Sequence, residues 1–177
     1  MTRDKLQVLN ENTLGAENPV LHLIGYGDFQ CTLSRSSHVA IRQLLKKCGQ
    51  WFSFTFRNYP YTARNRYAFD AECAVEAAGK QGRYGEMHHA VFRAQATGSD
   101  DLFLSLAESF NLDKRQFFKD SISENVHRRI HLDFQAGHLD GLKSTPAFLI
   151  NGDFFQGSLK ELFELTKKIF SGLSGRG

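Results

Sequence analysis

Val20-Leu-His-Leu-Ile-Gly25-Tyr-Gly-Asp-Phe-Gln-Cys31-Thr-Leu-Ser34 is the stretch that decides the fold. Val20 to Ile24 is a short apolar run between Pro19 and Gly25, which predicts a buried strand. Beyond it, Ile41, Leu44, Leu45 and Cys48 recur at i, i+3, i+4 and i+7, the spacing of an amphipathic helix from about Cys31 to Lys47. Trp51 to Arg57 then alternates, with Phe52, Phe54 and Phe56 on one face and Ser53, Thr55 and Arg57 on the other. That pattern predicts a strand with one face in a core. Strand, helix and strand in this order make a βαβ unit, which should be right-handed.

From Thr62 to about Leu139 no strand is readable. Phe69, Cys73 and Ala77 share a helical stripe, as do Met87, Ala90, Val91 and Ala94, and then Phe103, Leu106, Ala107 and Phe110. Asp113 with Gln116 starts another helix, which Phe118, Ile122, Val126, Ile130 and Phe134 continue at every fourth residue. Four or so helices therefore interrupt the sheet. It resumes at Ala147 to Ile150 and Asp153 to Gln156, joined by Asn151-Gly152, a strong hairpin signal. Ser158 with Glu161 opens a last helix that buries Leu159, Leu162, Phe163 and Thr166. Ser171 to Gly177 reads as a frayed tail. The expected class is α/β, in the order β-α-β, helical block, β-β-α. The discontinuous core covers 1–61 and 140–177, with an inserted helical domain at 62–139.

Composition narrows the function. A chain of 177 residues buries enough surface to fold without a disulfide or metal scaffold. Its net charge of +3 is too mild and dispersed to imply nucleic acid. No apolar run approaches the roughly 18 residues that span a bilayer, and Met1 leads into polar sequence with no apolar signal core. These features set the expectation of a cytoplasmic protein without membrane or nucleic-acid partners. The cysteines are 31, 48 and 73, an odd number with no C-x-x-C pair, which excludes a disulfide-stapled secreted domain.

Cys31 opens the first helix, where unpaired N–H groups and the helix dipole favour a thiolate. Position alone makes it the candidate nucleophile, and Ser34, three residues on, can donate its hydroxyl to it. Asp28 is a possible tuning group, though such an aspartate commonly satisfies backbone amides before a helix. Lys143-Ser-Thr-Pro146-Ala147 immediately precedes the resumed sheet; X-Pro is the one kind of bond cheap enough to be cis, and proline suits a strand start. His127, His131 and His138 share a helical spacing, but without a partnering glutamate or cysteine they read as a solvated face, and no metal is expected. The basic pairs Arg64 with Arg66 and Arg128 with Arg129 lack aromatic platforms and read as solvated.

The Tyr26-x-Asp28-Phe29-x-Cys31 approach, the Ser144-Thr-Pro-x-Phe-x-Ile-Asn-Gly152 segment and the closing helix resemble the DsbA-like branch of the thioredoxin superfamily. The Gly15 to Val20 lead-in and the Gln81 to His88 stretch fit it too, so the resemblance covers about Gly15 to Phe170. It implies a thioredoxin-like fold, with Cys31 as nucleophile, Pro146 as the cis-proline and the Thr145 backbone pairing with substrate. The family's second cysteine falls on Ser34, and its usual proline after the first cysteine falls on Thr32; Thr32 and Leu33 line the substrate side.

Ser34 cannot resolve a mixed disulfide, so an outside thiol must finish each turnover. Glutathione is the expected co-substrate, with no bound cofactor. Disulfide-containing proteins or glutathione mixed disulfides are the expected partners, reduced or isomerised by this monothiol site. Two other readings compete: a redox-inactive peptide-binding module, and activity like that of kappa-type glutathione transferases. Cys48 and Cys73 lie on apolar stripes and read as structural.

Overall fold

The computed structural model describes residues 12–61, 67–94 and 100–174. The elements run β1 (Thr13–Gly15), β2 (Leu21–Gly27), α1 (Thr32–Cys48), β3 (Phe52–Asn58), α2 (Tyr67–Gly79), α3 (Tyr84–Ala94), α4 (Asp100–Ser109), α5 (Lys114–Ser121), α6 (Glu124–Leu139), β4 (Ala147–Ile150), β5 (Asp153–Phe154) and α7 (Leu159–Ser174). The strands form one sheet in the order β1-β3-β2-β4-β5. β2 and β3 are parallel, with Leu23 opposite Phe54, as the α1 crossover requires. β4 lies antiparallel on the other side of β2. The strand that delivers Cys31 is therefore central, and the Thr145-Pro146 approach to β4 ends beside it. Within the described residues the expected α/β order is present, with β1 added at the edge. Three residues are too few to show an alternation, which is why β1 is not readable in the sequence.

One face of the sheet carries Leu21, Leu23, Phe52, Phe54 and Phe56, packed with Ile41 and Leu44 of α1 and Met87, Val91 and Phe92 of α3. The other face is covered as well, contrary to the expectation for β3: Ser53 and Thr55 are buried. The Thr55 hydroxyl bonds Thr13 Oγ1 at 2.7 Å and His22 Nε2 at 2.9 Å. At the end of the same face Arg57 donates to Asp133 of α6 at 2.7 Å, and Asp133 also accepts the Asn58 amide at 3.1 Å. The polar strand face is thus met by Thr13 and His22 at Thr55 and by Asp133 of α6 at Arg57, while the buried Ser53 hydroxyl has no hydrogen-bond partner among the described residues.

Two further expectations are corrected. The stripe from Phe118 to Phe134 is broken: Ile122 leaves helical geometry, and the Ser123 hydroxyl caps a new helix by accepting the Val126 amide. Phe118 and Ile122 consequently face solvent, while Phe117 turns into the core. At the other end, α7 continues through Ser171 to Ser174 rather than fraying there, and 175–177 lie outside the described residues. Arg64 and Arg66 also lie outside them. The Asn151-Gly152 hairpin forms with φ of 50° and 94°, the left-handed pair that this dipeptide tolerates. At the start of α7 the Ser158 hydroxyl accepts the Glu161 amide at 3.2 Å, and Glu161 Oε2 returns a bond to the Ser158 amide at 2.7 Å.

Candidate active site

β2 ends at Gly27 and the chain turns into α1 through Asp28, Phe29 and Gln30. Gly27 is required at this point, because a Cβ there would sit 2.5 Å from the Phe56 ring. Asp28 is buried and organises the turn. Its carboxylate accepts the Gln30 amide at 2.6 Å and, across the sheet end, the Tyr61 amide at 2.9 Å; its carbonyl accepts the Cys31 amide at 3.0 Å. The observed contacts make Asp28 the anchor of the turn.

Cys31 is the N-cap of α1 and takes the place a serine or aspartate oxygen usually has: Sγ accepts the Ser34 amide at 3.4 Å. It also lies 3.4 Å from the Thr145 carbonyl oxygen, to which the protonated thiol donates. The Thr145–Pro146 bond is cis. Partial burial pushes the Cys31 thiol up, but the Ser34 and Thr145 side chains and the Ser34 and Leu33 amides favour the anion, and the net pKa lies below the ordinary thiol value. Replacing Ser34 by Ala should therefore raise the midpoint of Cys31 alkylation against pH, with the peptide amides still in place. A midpoint unchanged from that of the wild type would show that the hydroxyl does not stabilise the thiolate.

The structure brings Asp28, Cys31, Ser34, Thr145 and Pro146 into one site. Thr32 and Leu33, in the first turn of α1, are both exposed, Leu33 to 59%. Cys48 closes the far end of α1, about 25 Å along the helix from Cys31. A disulfide needs Cα atoms within about 7 Å, so these two cannot pair. Cys73 is buried in a separate cluster with Val126 and Ile130, and burial pushes its thiol up. Neither behaves as a reactive partner for Cys31.

The sequence did not disclose a histidine cluster behind the site. A cavity of about 10 Å³ is lined by Gly27, Ser34, His38, His88 and Pro146 among others. The His88 ring stands edge-on to Phe29, Phe56 and Phe92, and among the described residues neither of its nitrogens has a hydrogen-bond partner. His38 Nε2 is 3.1 Å from His89 Nδ1. Burial holds His88 far below the ordinary imidazole range and pushes His38 down to about 3, so both are neutral. The available signal was His38 at i+7 from Cys31, but no periodicity shows that a residue on a distant helix meets it. His127 packs on Phe69, and His131 pairs with Gln135.

The family model described as Thioredoxin matches residues 7–168. Among curated relatives, the Na(+)/H(+) antiporter NhaA 1 of Salinispora arenicola is 30% identical over 148 residues, 84% of this chain and 22% of that protein. An antiporter NhaA 1 of Mycolicibacterium gilvum is 31% identical over 153 residues, with 83% and 24% covered. The chain thus spans less than a quarter of the length of these relatives. Among solved structures, the thiol-disulfide exchange protein alpha-DsbA2 of Wolbachia pipientis superposes with a TM-score of 0.76 at 22% identity, covering 89% of this chain and 86% of that one. Oxidised BdbD of Bacillus subtilis gives 0.73 at 17% identity, covering 89% and 91%. The shared fold, together with the match over most of the sequence, places the chain in the thioredoxin family, with the helical block of its DsbA-like members.

Proposed function

We propose that this chain is a monothiol disulfide-exchange enzyme that uses Cys31 as its only nucleophile and glutathione as the outside thiol. The observation that carries the reading is Cys31 at the N-cap of α1, its sulfur bonded by the Ser34 amide with Ser34 in the resolving position. The Cys31 thiolate attacks the glutathione sulfur of a mixed disulfide; a Cys31–glutathione disulfide forms, and the substrate sulfur leaves as a thiolate and takes a proton from water. A second glutathione thiolate attacks the glutathione sulfur of that adduct. Oxidised glutathione forms, and Cys31 leaves as the thiolate that begins the next round. The net change converts a mixed disulfide and one glutathione into a free thiol and glutathione disulfide. A leaving group held as a thiolate is the better leaving group, so the hydrogen bonds at Sγ serve both steps. Disulfide-bearing proteins are the wider substrate class, and a cytoplasmic setting, rich in reduced glutathione, goes with this reading.

The test is the rate of alkylation of each cysteine against pH, read by mass spectrometry, followed by glutathione-dependent turnover of hydroxyethyl disulfide. A Cys31 midpoint near or below 7, with Cys73 unreactive, is the expected result. A midpoint at the ordinary thiol value of about 8.5, with no turnover, would leave a peptide-binding module in its place.

A further inference from the structure

The flank of α1 that faces α3 holds an open groove of about 990 Å³, within the range of peptide and small-ligand sites. Its floor is apolar, from Leu14, Leu45 and Leu106, and its walls carry Arg42 and Lys46 from α1 and Arg93 from α3. All three cations are exposed, and among the described residues none is ion-paired. Glu86, the carboxylate among the lining residues, is engaged by Arg83 at 2.8 Å. Its charge is thus spent outside the trio. The nearby His89 is held below its ordinary pKa by partial burial and by Arg42 and Arg93, so both guanidiniums act on one spot. Arg35, Val39, Arg42 and Lys46 follow one another at i, i+4, i+7 and i+11, a positive face that begins one turn after Cys31.

We propose that this groove binds an acidic segment with an apolar anchor, and that the segment is the chain flanking the disulfide of a protein substrate. The assignment deepens the exchange reading and rests on it for the word substrate. Charge complementarity selects the occupant: unpaired cations over an apolar floor suit carboxylates joined to an aliphatic or aromatic side chain, and they repel a basic segment. Helix rise sets the spacing. Arg42 and Lys46 stand about 16 and 22 Å along α1 from Cys31, a span that an extended peptide covers in about five to seven residues.

The experiment uses two labelled peptides with serine in place of the cysteine and a Glu or Lys cluster about five to seven residues away, titrated by fluorescence anisotropy. The Glu peptide should bind on the order of tenfold more tightly at low salt, and the margin should shrink as salt is added. Charge reversal by R42E with R93E should erase or invert the preference. Equal binding of the two peptides, or a preference that survives the reversal, overturns the proposal. Turnover of hydroxyethyl disulfide, measured on the same proteins, should be unchanged by the reversal. Because hydroxyethyl disulfide, and the mixed disulfide it forms with glutathione, carry no flanking protein chain, its turnover tests the exchange reading separately from the groove.

Discussion

Cys31→Ser should remove the proposed glutathione-dependent turnover by roughly three or more orders of magnitude, because a serine hydroxyl at a helix N-terminus has no accessible anion and forms no exchangeable bond to sulfur. The substitution should leave the fold intact. Cys31 is only partly buried, and a serine oxygen is a better N-cap acceptor for the Ser34 amide than sulfur is. Activity that survives would show that the chemistry runs elsewhere, as in a transferase-like reaction at Thr32 or Ser34. The complementary change, Ser34→Cys, places a second thiol three residues along the first turn. There helix geometry sets the Cα atoms about 5 Å apart, inside the range a disulfide needs. That variant should form an internal disulfide between Cys31 and the introduced thiol, and gain dithiol oxidation at the expense of dependence on glutathione. Ser34 is buried, so the new thiol has little freedom to turn away. Failure to gain a disulfide under oxidising conditions would mean that the site has departed from dithiol geometry at more than this one atom.

The second large effect is on stability in acid. His38 and His88 are neutral in the fold because burial disfavours their charged forms, whereas both take up a proton near pH 6.5 once unfolded. Below pH 6.5 the unfolded chain therefore binds more protons than the folded one, and stability falls as pH falls, continuing for His38 down to about 3. Each such histidine costs about 1.4 kcal/mol per pH unit, or about 2 kcal/mol between pH 6.5 and 5. Glu72 acts in the opposite direction. Burial, together with the neighbouring carboxylates of Asp28, Asp133 and Glu76, holds its pKa well above the usual range. The folded state thus retains a proton that the unfolded state releases, and stability is lost as pH rises above about 4.5. Urea unfolding of His88→Phe, which keeps an aromatic ring among Phe29, Phe56 and Phe92, should narrow the gap in unfolding free energy between pH 7 and pH 5 by about 2 kcal/mol. Glu72→Gln should remove the loss of stability as pH rises above about 4.5, and so widen the gap between pH 7 and pH 5 that the histidines produce. A His88→Phe protein with the full acid dependence would place that sensitivity in other groups.

The local features of this protein are determined by its sequence, because each rests on residues close together in the chain. The i, i+3, i+4, i+7 spacing made α1, Asn151-Gly152 made the hairpin, Ser158 with Glu161 capped α7, and Cys31 at a helix start marked the thiol. Tertiary structure alone decided three other things. It broke the long helical stripe at Ile122, since a serine cap outweighs continuity once Phe117 can be buried instead. It buried the polar face of β3, where Thr13, 42 positions back, bonds Thr55 and Asp133, 76 positions on, pairs with Arg57. It also set His38 against His88 and His89, and Thr145 against Cys31 114 positions away. Periodicity shows which face of a helix or strand is apolar. Which residues meet across that face depends on the packing of elements distant in the chain, and the electrostatics of the site follow from those meetings.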